Sequence, residues 1–181
     1  MTRVIGLDLS LTSTGIAYAS KADGLIDTAA VKTLGRKGDT LTDRAHRLGT
    51  IVGHLAEGMA GFKPDLLVVE NPSYGSQHGA QHDRSGLWWQ AVQAALRVCP
   101  VATVAPTARA KYGAGKGNAD KKTVHAAVKE RYAGEGLPIK TNDEADAVIL
   151  AAMGARHLGF AFDVGLPDAH LEAMAKVAWP A

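Results

Sequence analysis

Four carboxylates stand where the surrounding apolar pattern does not call for an acid. Asp8 and Glu70 each end an apolar run of four residues, and Asp143 and Asp146 lie three positions apart. In a helix, that spacing puts two Cβ atoms about 5–6 Å apart on one face. Carboxylates that converge repel each other, and hard divalent cations such as Mg²⁺ or Mn²⁺ relieve the repulsion. Two such ions can activate water and stabilise the leaving oxygen of a phosphodiester.

Each acid also has a purely structural interpretation. Asp8 could be a turn residue before Ser10, and Glu70 could simply end a strand. Acids in the first turn of a helix complement the helix dipole, and Thr141 could form a capping box with Glu144. Taken singly, these acids are explained at least as well by structural roles, so both interpretations stay open.

Asp146 is harder to explain structurally. It lies beyond the first helical turn, immediately before the segment 147–153, which is apolar on every side. Such a segment is typical of a helix buried against a sheet. A buried ionised carboxylate needs a cation or a hydrogen-bond network, so the sequence predicts a partner for Asp146.

Basic residues are concentrated in the segment 109–131. The whole chain has a net charge of +2, whereas this segment sets seven basic residues against two acids. The seven are Arg109, Lys111, Lys116, Lys121, Lys122, Lys129 and Arg131. Such a concentration is expected of a surface that faces a polyanion, although a solvated helix face would look the same.

The elements that must position these residues change in type along the chain. Three short strands are predicted at 3–9, 14–20 and 25–34, closely connected as in an antiparallel meander. Two further strands are predicted at 66–70 and 101–104. Helices are predicted over 41–61, 87–98 and 141–157, with shorter ones beginning at Pro106, after an N-cap at Asn118, and over 168–177.

This order favours an α/β fold with a mixed five-stranded sheet and helices on both faces. In open α/β sheets, sites form at the carboxyl ends of parallel strands. Asp8 and Glu70 both end predicted strands, so their Cα atoms would be about 5 Å apart if the strands were neighbours.

Length and composition exclude several other classes. A chain of 181 residues with 46% hydrophobic residues is typical of one globular domain. Its single cysteine, Cys99, excludes a disulfide framework and is expected to be a small buried apolar residue. The sequence contains neither a membrane span nor a secretory signal, so a cytoplasmic protein without a membrane partner is expected.

Three motifs together resemble the RuvC-type Holliday-junction resolvases of the ribonuclease H-like superfamily. They are Gly6-Leu7-Asp8-Leu9-Ser10-Leu11-Thr12-Ser13-Thr14-Gly15, Val68-Val69-Glu70 and Asp143-Glu144-Ala145-Asp146-Ala147. The resemblance covers residues 3 to about 158. It implies a sheet of order 3-2-1-4-5 with an antiparallel second strand. It also implies a nuclease domain at 1–158, with a C-terminal extension, 159–181, packed on it.

The resemblance further implies a metal-dependent endonuclease that resolves four-way DNA junctions. Asp8, Glu70, Asp143 and Asp146 would be catalytic ligands of two Mg²⁺ or Mn²⁺ ions per site. Lys111 and Lys121 would lie near the scissile phosphate, with Lys121 catalytic. The residues expected to contact nucleic acid are Arg109, Lys111, Lys116, Lys121, Lys122 and Tyr74.

Two further segments have roles that the resemblance suggests. The loop 71–86 would hold the open junction, with Tyr74 stacking on bases. His78 and His82 in this loop could bind a metal, or the loop could be an ordinary mobile one. The helix at 87–98, which carries the adjacent Trp88 and Trp89, would form the two-fold interface of a homodimer; alternatively, one tryptophan is buried in the core.

Other functions remain as alternatives on the same sequence. A general flap nuclease or a ribonuclease would use the same acids. The stretch Asp8 to Gly15 also resembles the phosphate loop of actin-like phosphotransferases, but no second phosphate loop follows. A non-catalytic binder of branched DNA is disfavoured, because four uncompensated acids repel phosphate.

Overall fold

The computed structural model of the chain describes residues 1–72, 80–137 and 139–180. Its five-stranded sheet has the order β3-β2-β1-β4-β5, as predicted. The strands are β1 (Arg3–Asp8), β2 (Ser13–Ser20), β3 (Gly24–Lys32), β4 (Leu66–Glu70) and β5 (Val101–Val104). β2 is antiparallel to both of its neighbours, whereas β1, β4 and β5 are parallel. The mixed sheet expected from the sequence is therefore confirmed.

Helices cover both faces of this sheet. They are α1 (Leu41–Phe62), α2 (Gln81–Leu96), α3 (Pro106–Ala114), α4 (Lys121–Arg131), α5 (Asn142–His157) and α6 (Asp168–Leu171), with 3₁₀ turns at Ala133–Glu135 and Met174–Lys176. Within the described ranges, no helix is long and apolar enough to span a membrane.

The central strands supply side chains to two separate cores, because neighbouring residues of a strand point to opposite faces. Val4 and Val68 pack with α3, α4 and α5 on one face. Ile5 and Leu67 pack with α1 and α2 on the other face. The continuous apolar runs in β1 and β4 are thus explained by burial on both sides.

Three predicted boundaries are wrong. α2 begins at Gln81 rather than Leu87, because its first turns carry polar residues that do not show apolar periodicity. α4 is capped by Asp120, whose side chain accepts a 2.9 Å hydrogen bond from the Thr123 N–H, and not by Asn118. The single helix predicted over 168–177 is divided into α6 and a 3₁₀ turn.

The C-terminal segment is attached through a buried acid. The Asp163 carboxylate accepts hydrogen bonds from the Tyr112 and Tyr132 hydroxyls at 2.7 and 3.0 Å. It also pairs with Arg156 of α5 at 2.8 Å. Each donor comes from a helix or a helix end of the main domain, so this carboxylate joins the segment to α3, α4 and α5.

Candidate active site

Asp8 and Glu70 end neighbouring strands. β1 and β4 run parallel with Leu7 as the register partner of Val69, so the two acids follow at the same edge of the sheet. Adjacent strands lie about 4.8 Å apart. Alternation along each strand directs both side chains to the face that α5 covers.

α5 brings the other two acids to this edge. Asp143 is in its first turn, and Asp146 follows one turn later. The Thr141 hydroxyl accepts a hydrogen bond from the Glu144 N–H, and the Glu144 carboxylate accepts one from the Thr141 N–H. This confirms the capping box, which fixes where α5 begins and hence where its aspartates lie.

Two glycines allow α5 to lie directly on the strands. A Cβ at Gly15 would be 2.0 Å from the Asp143 carbonyl oxygen, and one at Gly6 would be 2.1 Å from the Ala147 carbonyl oxygen. Both distances are too short for any side chain. Gly15 is also the register partner of Asp8, so the close approach at Gly15 brings Asp143 near Asp8.

Arg109 lies among the acids. Its guanidinium donates from Nε to the Glu70 carboxylate and from Nη1 to the Asp146 carboxylate, the second bond at 2.5 Å. The residue is 7% exposed. Arg109 therefore supplies the cation that the buried Asp146 requires. Arg109 was expected on a surface open to DNA phosphates, whereas the structure buries it beside Glu70 and Asp146.

Burial and neighbouring charges raise the pKa of two of the acids, Asp8 and Asp146. Burial, followed by the negative charges of Glu70 and Asp146, raises the pKa of Asp8 to about 8. Burial raises the pKa of Asp146 to about 6, with the nearby Arg109 opposing the shift. The site thus disfavours the ionised form of both acids.

A cavity of about 620 Å³ opens beside these acids. Asp8, Glu70, Asp143 and Lys121 line it, together with Trp88 and Trp89 of α2. Asp146 is not among its lining residues and lies behind it, 2% exposed. Three of the four acids therefore face an open space with a lysine beside them.

Trp88 fixes the end of β4. Its indole N–H donates a 3.0 Å hydrogen bond to the Glu70 carbonyl oxygen. Trp89 stands edge-on to Trp88 and is 65% exposed. One tryptophan thus supports the site, and the other presents its ring to solvent. The role of Trp88 was not predicted from the sequence, because its hydrogen bond goes to a backbone atom.

Comparison with solved structures identifies the fold. The structure of Thermus thermophilus RuvC in complex with a Holliday junction substrate matches with a TM-score of 0.67 and 20% identity, over 89% of this chain and 98% of that chain. The chain has the RuvC fold. A second Thermus thermophilus RuvC structure matches with a TM-score of 0.67 and 23% identity, over 88% of this chain and 98% of that chain.

The yeast mitochondrial Holliday junction resolvase is a more distant match. Its TM-score is 0.54 and its identity 14%, over 83% of this chain and 76% of that chain. No family model matches the sequence, and no curated protein matches it either. The RuvC fold is therefore recognised through the structure, together with the three short motifs.

On this RuvC fold, the predicted DNA-contacting residues fall into distinct groups. Lys116, Lys121 and Lys122 are exposed. Lys111 is half-buried and pairs with Glu172 of the C-terminal segment at 2.5 Å. Only Lys121 lines the cavity with the acids.

The loop predicted at 71–86 is described only in part. Tyr74 and His78 lie outside the described residues. His82 does not belong to a loop, because it is the second residue of α2, and its side chain is exposed.

The acids offer oxygen ligands but not a preformed metal site. Within residues 1–72, 80–137 and 139–180, no three Asp, Glu, His or Cys side chains are close enough to hold a metal ion. The donor chemistry nevertheless fits, since carboxylate oxygens are the ligands that Mg²⁺ and Mn²⁺ prefer. Burial, and after it the charges of Glu70 and Asp146, raises the pKa of Asp8, and a bound cation would oppose that shift.

Proposed function

We propose that this chain is a metal-dependent endonuclease that resolves four-way DNA junctions. The observation that carries the proposal is the placement of Asp8, Glu70 and Asp143 around one open cavity beside Lys121. This cavity is found on a fold shared with RuvC, which has been solved with a Holliday junction substrate. A cluster of acids next to an exposed lysine suits phosphodiester hydrolysis better than simple DNA binding.

Asp8, Glu70 and Asp143 would hold Mg²⁺ or Mn²⁺, with Asp146 behind them. A bound ion of this kind supplies an activated water and stabilises the charge that develops on a leaving oxygen. Lys121 lines the same cavity, and its ammonium group would contact a phosphate oxygen there. Trp88 holds the end of β4, and thus the Glu70 backbone, in place.

The DNA partner would be engaged through the exposed lysines Lys116, Lys121 and Lys122. Contacts of this kind go to the phosphate backbone and carry little sequence information. Selection of a branched substrate would come from two sites acting together in a homodimer. The exposed side of α2, with Trp89 and Leu96, supports this assembly because both apolar side chains face solvent in the single chain.

The test is a cleavage assay on three substrates: a synthetic four-way junction, a linear duplex of the same sequence, and an RNA–DNA hybrid. With Mg²⁺, the junction should be nicked in two opposing strands, and a chelator should prevent it. Asp143→Asn, at the cavity wall, should abolish cleavage and leave junction binding intact. Asp168→Asn, an exposed acid of α6, is the matched control and should cleave normally.

Each substrate outcome has a defined meaning. Equal rates on the duplex and the junction would contradict the resolvase proposal and leave a general nuclease. Preferred cleavage of the hybrid would indicate a ribonuclease. Cleavage by Asp143→Asn at the wild-type rate would remove this residue from the site.

A further inference from the structure

Arg109 is held by two of the four acids that the proposed function assigns to metal ions. Its guanidinium bonds Glu70 and Asp146, and its side chain is 9% exposed. We infer that Arg109 is a built-in counterion that takes the place of a second divalent ion, so that the free protein binds one ion per site. The inference rests on the proposed function, because it assumes that the remaining acids bind a metal.

The acids divide into two pairs in the structure. Glu70 and Asp146 are both bonded to Arg109; Glu70 also lines the cavity, whereas Asp146 does not. The side chains of Asp8 and Asp143 both line the cavity, and neither makes a hydrogen bond or ion pair with any described residue. One cation can therefore bind from the cavity side without disturbing Arg109, whereas a second would have to compete with the guanidinium for Glu70 and Asp146.

The fold keeps Arg109 in this place. It projects from α3, where the flanking Ala108 and Ala110 are both buried. A guanidinium presents several donors in a fixed plane, which allows it to bridge two carboxylates as a single metal ion would. It is also always charged, so one positive charge stays beside the two acids at every pH at which the protein is folded.

An ion pair with a purely structural role would have the same geometry, but the stability of its variants would respond differently to added divalent cations. Loss of one partner from a buried pair leaves the other charges uncompensated and destabilises the fold. If Arg109 stands in for a metal ion, an added divalent cation should restore that stability. If the pair is only structural, added cations should have no special effect on the variant.

The test is a count of Mn²⁺ ions bound to the full chain without DNA, by electron paramagnetic resonance titration, together with thermal melting. Wild type should bind one ion per chain. Arg109→Met should bind two, and Mn²⁺ should raise its melting temperature more than that of wild type. Arg156→Met, which breaks the Arg156–Asp163 pair away from the acids, is the matched control. It should lose stability, still bind one ion, and gain no extra protection from Mn²⁺.

A second uncharged variant, Arg109→Gln, allows the same measurements if Arg109→Met does not fold. Two ions bound to either variant, or folding that depends on Mn²⁺, supports the inference. Two ions on wild type, one ion on the folded variants, or variants that stay unfolded in saturating Mn²⁺ would each overturn it, while leaving the metal-dependent function in place. No Mn²⁺ on wild type or on either variant would instead refute the metal-dependent function, and the inference with it.

Discussion

Asp8 lies in surroundings that oppose its ionisation. Burial is the largest cause, followed by the charges of Glu70 and Asp146, and together they raise its pKa from 3.8 to about 8. In the unfolded chain, Asp8 loses its proton near pH 4. Between about pH 4 and 8, the unfolded state therefore binds fewer protons, and the stability of the metal-free protein falls as pH rises.

Asp8→Asn should remove this loss of stability. In a chelating buffer, we expect the variant to melt several degrees above wild type at pH 8, with a gap that closes towards pH 4. Thermal melts across this pH range measure it, with Asp168→Asn as an exposed control that should follow wild type. A gap that is the same at every pH would contradict the role given to Asp8.

At the scale of single residues, the sequence predicted that Asp146 needs a partner but did not predict which residue supplies it. The apolar surroundings of Asp146 required a cation, and the structure supplies Arg109. The sequence instead placed Arg109 on the DNA-facing surface, because it begins a run of basic residues. Which arginine is buried depends on how α3 packs against α5, and no local pattern carries that information.

At the scale of elements, the approach of α5 to the sheet decides where its aspartates lie. Gly15→Ala would place a methyl group 2.0 Å from the Asp143 carbonyl oxygen, which is backbone and cannot rotate away. We expect a loss of stability of about 1–3 kcal/mol and weaker metal binding, because Asp143 moves with the helix. Urea unfolding and Mn²⁺ titration measure the two effects.

Gly53→Ala in α1 is the matched control for Gly15→Ala. A Cβ at Gly53 meets no atom within 4 Å, so alanine should stabilise the helix by about 0.5–1 kcal/mol. Metal binding should not change. Equal effects of the two substitutions would show that the contact at Gly15 does not position the site.

Asp163 is the single described acid that joins the C-terminal segment to three helices of the domain. Asp163→Ala would leave Arg156 and the hydroxyls of Tyr112 and Tyr132 without this acceptor. We expect a loss of about 3 kcal/mol in the free energy of unfolding. Asp168→Ala, on the exposed surface of α6, should change it by less than about 0.5 kcal/mol. A similar small effect at Asp163 would mean that the segment is held mainly by its other contacts, which include the Lys111–Glu172 pair.

Element types were predicted well because they depend on patterns within the chain, whereas the strand order was implied by the resemblance to the RuvC-type resolvases. A run that is apolar on both faces indicated β4, and apolar residues at helical spacing indicated α1. The start of α2 was missed because its first turns are polar, and Asp83 there pairs with Arg44 of α1. Such a start is stabilised by a neighbouring helix rather than by its own hydrophobic pattern.

At the scale of the whole molecule, α2 exposes large apolar side chains on one face. Trp89 and Leu96 are 65% and 61% exposed, and seven positions in a helix return a side chain to nearly the same direction. Large apolar side chains exposed together on one face are typical of a protein interface. A two-fold axis through this face would give each site one strand of a symmetric junction.

Leu96→Glu tests this assembly without touching the cavity. A charge buried opposite its own copy is strongly unfavourable, so sedimentation should show dimers for wild type and monomers for the variant at micromolar concentration. On a four-way junction, the variant should leave mostly single nicks, because the second site no longer acts in the same complex. Leu41→Glu, an exposed leucine at the start of α1, should stay dimeric and cut both strands. If the wild-type protein sediments as a monomer and still nicks two opposing strands, α2 is not a dimer interface, and paired cleavage has another origin.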